Sequence, residues 1–144
     1  MPYEYLDDEV TADVTFRAWG ADLAELFGAA ADATANAMVE PLGAIRPLTT
    51  KRVEVEAEGL DVLLLRFLDE LIFHKDAEGL ILRAGTACIS EPAADRFRLA
   101  GELAGEPIDP QRHELMGDVK AVTLAGLRVE RTGTGWLAQV TLDV

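Results

Sequence analysis

The chain is poor in several things, and each shortage narrows its chemistry. Among 144 residues there is one cysteine, Cys88. No intramolecular disulfide and no multi-cysteine metal cluster can form. Basic residues are scarce: 13 Lys+Arg stand against 26 Asp+Glu, a formal net charge of −13. Phosphate contacts need a basic face, so this balance argues against direct nucleic-acid binding and against an electrostatic grip on anionic membranes. Long apolar runs are missing as well. The longest, Val62–Leu65, is bounded by Asp61 and Arg66 and falls far short of a membrane span. Met1–Glu9 has neither a basic stretch nor an apolar one, so no signal peptide is expected and a cytoplasmic location is the default. No GxGxxG, P-loop, GxSxG or HExxH motif occurs.

What is present suits one domain. Hydrophobic residues make up 49% of the chain, enough for a core at this length. No linker, repeat or low-complexity stretch divides it. A single domain over 1–144 is expected.

The periodicities place the elements. Val14, Phe16 and Ala18 alternate with Asp13, Thr15 and Arg17, the period of a half-buried strand. Gly20 breaks it. Asp22 and Glu25 form a capping-box pair for a helix carrying Leu23, Leu26, Phe27, Ala30, Thr34, Ala37 and Met38. Pro41 ends it. Lys51–Glu58 alternates again, and Gly59 leads into a second helix near Asp61–Lys75 with Leu64, Phe67, Leu68, Leu71 and Ile72 as its stripe. Strands are expected at Leu80–Ser90, Asp95–Leu103, Val119–Glu130 and Trp136–Val144. Turns are expected at Glu91-Pro92 and Thr132–Gly135, and irregular chain at Glu106–Glu114. The order β-α-β-α-β-β-β-β implies an α+β two-layer fold, with two helices packed on one face of a mixed or antiparallel sheet.

Few residues offer chemistry. His74 lies at the end of the second helix, where a cation suits the dipole, and a structural role is expected. His113 sits on a loop with its role open. Cys88 falls in an apolar strand and is expected to be a small buried hydrophobe. Asp7, Asp8, Glu9 and Asp13 cluster near the start, where they could ligate a hard cation or simply be solvated. Asp143 adjoins the carboxyl group of Val144, and alternation points it away from the Trp136 stripe. Lys120 opens a strand, as an edge guard or as a placed cation.

Several of these segments together resemble the archease family. They are Tyr3-Glu4-Tyr5-Leu6-Asp7, Thr11-Ala12-Asp13-Val14, Asp109-Pro110-Gln111-Arg112-His113, Lys120-Ala121-Val122-Thr123 and Val140-Thr141-Leu142-Asp143-Val144. They come in the family's order, and the resemblance spans essentially the whole chain. It implies a non-enzymatic protein partnering the GTP-dependent RNA ligase of tRNA splicing, which joins a 2′,3′-cyclic phosphate or 3′-phosphate end to a 5′-hydroxyl end. The family member promotes guanylylation and multiple turnover of that ligase. The resemblance further implies a bound divalent metal, Ca²⁺ foremost with Mg²⁺ or Mn²⁺ as alternatives. Its ligands map onto Asp13, Asp143 and Val144, and Lys120 matches a position needed for activation. Asp7 and His113 are additional candidates. Two departures fall beside these positions. Val10 stands where the family has His, with two extra residues between Asp7 and Thr11, and Leu124-Ala125 replaces a Tyr-His pair. The competing readings are a chaperone-like interaction module with a structural metal, and a small metal-dependent hydrolase with His113 as its base.

Overall fold

The computed structural model describes residues 2–6 and 13–144. The expected Asp7 ligand, together with Asp8 to Ala12, lies outside the described residues. Eleven elements follow in order: β1 (Tyr3–Leu6), β2 (Val14–Gly20), α1 (Leu23–Met38), β3 (Val39–Glu40), β4 (Thr49–Ala57), α2 (Leu60–Glu78), β5 (Leu80–Ala93), β6 (Arg96–Pro107), β7 (Glu114–Leu115), β8 (Ala121–Arg131) and β9 (Trp136–Asp143). A short 3₁₀ turn, Leu42–Ala44, precedes β4.

The α+β class and the two helices are as expected. The strands divide among sheets where one sheet was expected. One sheet runs β1-β2-β9-β8, a second β4-β6-β5, and β3 pairs with β7 in a two-residue ribbon. Every pairing is antiparallel. The additional strands are β1 and the two of the ribbon.

The helices connect the two larger sheets. α1 packs on β2 and on β5, and α2 packs on β4, β5 and β8. This explains the composition of α1. Leu26, Phe27, Ala29, Ala30, Ala31, Ala33, Ala35 and Met38 are all buried, so most of its circumference is covered. A helix enclosed on several sides is apolar nearly all round, and alanine lets neighbouring elements approach closely. α2 keeps a wet side at Asp61, Arg66 and Asp69, while Leu63, Leu64, Phe67, Leu68, Leu71 and Ile72 are buried. Phe27 of α1 meets Phe67 of α2 with ring centroids 6.0 Å apart.

Local signals did their expected work at the helix ends. Asp22 Oδ1 accepts from Glu25 N–H at 2.8 Å, and Glu25 Oε2 reaches back to accept from Ala21 N–H at 2.7 Å, a capping box whose return bond falls one residue before the N-cap. Gly79 ends α2 in the left-handed region at φ 65°. The β5–β6 turn comes later than Glu91-Pro92. It falls at Ala94-Asp95, where Asp95 takes φ 57°, a conformation that aspartate tolerates better than most residues.

Cys88 overturns an expectation: it is exposed. The cause is a bulge in β5. Ala84 pairs with Leu103, but Ala87 pairs with Gly101, so one extra residue enters β5 between them. A one-residue slip exchanges the faces of every later side chain. Leu80 and Leu82 face inward before the bulge; after it Ala87 and Ile89 turn inward and Cys88 outward. Gly101 permits this. A Cβ there would stand 2.1 Å from the Thr86 carbonyl oxygen.

Candidate functional site

Antiparallel pairing brings the ends of three strands together. Val14 pairs with Leu142, and Ala121 pairs with Asp143. Asp13, just before Val14, and Asp143, just after Leu142, therefore sit at the same end of one sheet. Lys120 precedes Ala121 at that end, and its main-chain N–H donates to the Asp143 carbonyl oxygen at 2.7 Å. Val144 follows. Four of the residues singled out from the sequence, spread from 13 to 144, are thus neighbours at one strand-end cluster. The side chains of Asp143 and Lys120 are exposed, and that of Asp13 is half-buried.

The donors that the structure places at this end are two carboxylates at neighbouring strand ends. Such a set suits a hard divalent cation. Among the described residues no group of three or more His, Cys, Asp or Glu side chains is placed to hold a metal ion.

The segment leading to Lys120 is held by α2. Lys75 Nζ donates to the Val119 carbonyl oxygen at 2.7 Å and pairs with Asp118 and Asp76. Burial works to lower the Lys75 ammonium, but its bonds to the two aspartates outweigh that and raise it. Asp118 is lowered in turn, first by its hydrogen bond from Lys75. No local sequence pattern could reveal this strut, because its partners are 44 residues apart.

His113 belongs elsewhere. Its side chain is buried in the loop after β6, and its Nδ1 accepts the Asp109 N–H at 2.9 Å. The neutral ring must then carry its proton on Nε2, which faces Glu106 Oε2 at 3.3 Å. A ring engaged at both nitrogens is not free to act as a general base. Glu106, itself only 2% exposed, is the hub of this network. Arg46 reaches it through main-chain N–H and guanidinium, and Arg112 Nη1 lies 2.7 Å from Oε1. Burial alone would push the Glu106 carboxyl up. The donors from Arg46, His113 and Arg112 outweigh it and hold the group at about 2. His74 is likewise structural, flanked along α2 by Glu70 at 3.7 Å and by Glu78.

The sequence matches the model of the archease protein family (MTH1598/TM1083) over residues 3–144. The chain belongs to the archease family. Its relatives carry the same name at full length. The protein archease of Pyrococcus abyssi (strain GE5 / Orsay) is 36% identical over 137 residues, spanning 94% of this chain and 95% of that one. The archease of Methanopyrus kandleri is 34% identical over 146 residues, with both chains covered completely. The solution structure of Methanobacterium thermoautotrophicum protein 1598 superposes with a TM-score of 0.83 at 34% identity, covering 99% of each chain. A crystal structure from Thermotoga maritima, described as an archease and possible chaperone, superposes with a TM-score of 0.59 over 96% of each chain. At 16% identity that likeness concerns the archease fold alone.

Proposed function

We propose that this archease is a non-enzymatic, metal-binding accessory protein that activates a GTP-dependent RNA-splicing ligase. The observation that carries the reading is the strand-end cluster of Asp13, Asp143, Val144 and Lys120 in a chain of this family. Asp13, Asp143 and Val144 would hold a divalent cation, Ca²⁺ foremost as the family resemblance implies, with Mg²⁺ or Mn²⁺ as alternatives, since oxygen donors suit hard cations. The cation would supply positive charge at a surface that is otherwise strongly acidic.

The chain's own residues have separable tasks. Asp13 and Asp143 flank the paired Val14 and Leu142 of adjacent strands, so the sheet itself brings them to one place before a cation or partner arrives. Lys120 is held at this end by its main-chain bond to Asp143, and its side chain is exposed there. It would contact the ligase or the phosphates of its bound nucleotide. The net charge of −13 fits a protein that works on RNA repair through a ligase and leaves RNA itself to that partner.

The test is multiple-turnover ligation by the cognate ligase with and without this protein. Wild type should accelerate ligation and ligase guanylylation, and Asp13→Asn, Asp143→Asn and Lys120→Ala should each abolish most of the gain. Full stimulation by all three variants would move the site elsewhere. No stimulation by the wild type would end the ligase reading.

A further inference from the structure

The β3–β7 ribbon is short, yet it and the residue after it hold two large apolar side chains in water. Leu115 is 53% exposed and Met116 50%. Neither sits on loose chain. Val39 pairs with Leu115, and Met116 N–H donates to the Met38 carbonyl oxygen at 2.9 Å.

Beside them the surface is hollow. A groove of about 360 Å³ is lined by Met38, Val39, Ile108, Leu115 and Met116, and by Asp118. That is room for a large apolar side chain. Apolar surface left in water is unfavourable, so a pinned and exposed Leu–Met pair on an apolar groove reads as a contact site. The flexible thioether of methionine suits a surface that must mould to another.

Charge gives the chemistry of what covers it. Glu40 and Glu114, the neighbours of the groove-lining Val39 and Leu115, stand directly opposite one another in the ribbon, and both are exposed. Like charges in that relation repel. Neither joins an ion pair among the described residues. Asp118 and Asp76 add two more exposed carboxylates, and the Lys75 that pairs with both has only 9% of its side-chain surface exposed. The surface is apolar at the groove and acidic around it. Its complement is an apolar group flanked by cations.

Position gives the partner. Only Val119 separates Asp118 from Lys120. The Asp118 carboxyl is lowered first by Lys75 and also by the charge of Lys120, so the groove adjoins the strand-end cluster. A protein that engages Lys120 meets the groove as well.

We infer that this groove seats an apolar side chain of the ligase, flanked on the ligase by lysine or arginine. The inference rests on the ligase reading and extends it from the strand-end cluster to the β3–β7 ribbon.

The cognate ligase is titrated into the full-length protein, alongside the turnover assay. Met116→Glu places a charge at an exposed position. It should weaken ligase binding about tenfold and lower stimulation, with the thermal midpoint unchanged. Met116→Leu should bind like wild type. Glu114→Gln separates a contact from a structural role. Relief of the repulsion with Glu40 should raise the thermal midpoint slightly, while ligase binding weakens at low salt and the difference shrinks at high salt. Undiminished binding by Met116→Glu, or binding by Glu114→Gln as tight as wild type at low salt, would overturn the groove assignment and leave the ligase reading standing. No stimulation by the wild type would end the ligase reading, and the groove assignment with it. A wild-type dimer that Met116→Glu disperses, with ligase binding intact, would give the groove to a second copy of this chain and overturn the proposal.

Discussion

Lys75 Nζ donates to the carbonyl of Val119, one residue ahead of Lys120, and so ties the Lys120 segment to the last turns of α2. Only 9% of its side-chain surface is exposed, whereas its partner Asp118 is open to solvent. The bond to the carbonyl is therefore the fixed part of the contact and the ion pair its solvated part.

Lys75→Met keeps the apolar stem and removes the donors. It should cost about 1–2 kcal/mol, the range for a lost buried hydrogen bond, read as a shift of the urea midpoint. In the ligation assay it should lower stimulation by more than the stability loss explains, because the Lys120 segment is freed. The pH window follows from the shifts. Lys75 is raised above its usual 10.5, so its contribution is full below that value and is lost as pH climbs through the higher folded value. Asp118 is lowered below its usual 3.8, so its part is full above that and disappears on acidification.

Glu106→Gln should be among the most damaging single changes. It leaves Arg46, Arg112 and His113 facing an uncharged group in a buried setting, at a cost of about 3 kcal/mol. Denaturant titration at neutral pH measures it. For the wild type, a folded value of about 2 against the usual 4.5 means that this contribution is complete above 4.5 and drains away as pH falls toward 2. The variant's stability should fall less steeply over that interval.

Gly101→Ala tests the β5 bulge. Its methyl would meet the Thr86 carbonyl at 2.1 Å, backbone against backbone, so the strands must part. A loss of about 1–3 kcal/mol is expected from such overpacking, visible as a lower thermal midpoint. Cys88 should then change its rate of thiol alkylation, since the bulge sets the face it occupies.

Removing the proposed cation has a defined signature. At a Ca²⁺ concentration a hundredfold above its dissociation constant, binding should stabilise the protein by about 2.7 kcal/mol, and a chelator should reverse it. Asp143→Asn and Asp13→Asn should each suppress the calcium-dependent rise in melting temperature while leaving the calcium-free protein nearly unchanged. A rise that survives in both variants would place the cation elsewhere.

The parts legible in the sequence were those governed by neighbours along the chain. α1 was readable to the residue because Asp22, Glu25 and the Leu23–Met38 spacing are local. The β2, β4, β8 and β9 strands were readable from alternation, within two residues at their ends. The proximity of Asp13, Lys120 and Asp143 came through a family pattern and not through spacing, since strand pairing between residues 14 and 142 leaves no trace in either segment alone. The same limit hid the β3–β7 ribbon, which is two residues long on each side, and the Glu106 hub, whose Arg46 partner is 60 residues away. Cys88 was misplaced for a different reason. Its strand reads as largely apolar, and a bulge between Ala84 and Ala87 reverses its faces without changing that composition.

The β8 strand shows a larger irregularity at an outer edge of its sheet. Thr123 pairs with Thr141 and Arg128 with Gln139, so four residues of β8, Leu124–Leu127, lie opposite Val140 alone. Leu124 projects there at 70% exposure, and Gly126 takes φ 73°. A strand edge so interrupted cannot serve as a template for another chain's backbone over more than a few residues. Two archease molecules are thereby denied a continuous β8-to-β8 seam. Along this edge, side chains and not a hydrogen-bond ladder decide what is recognised.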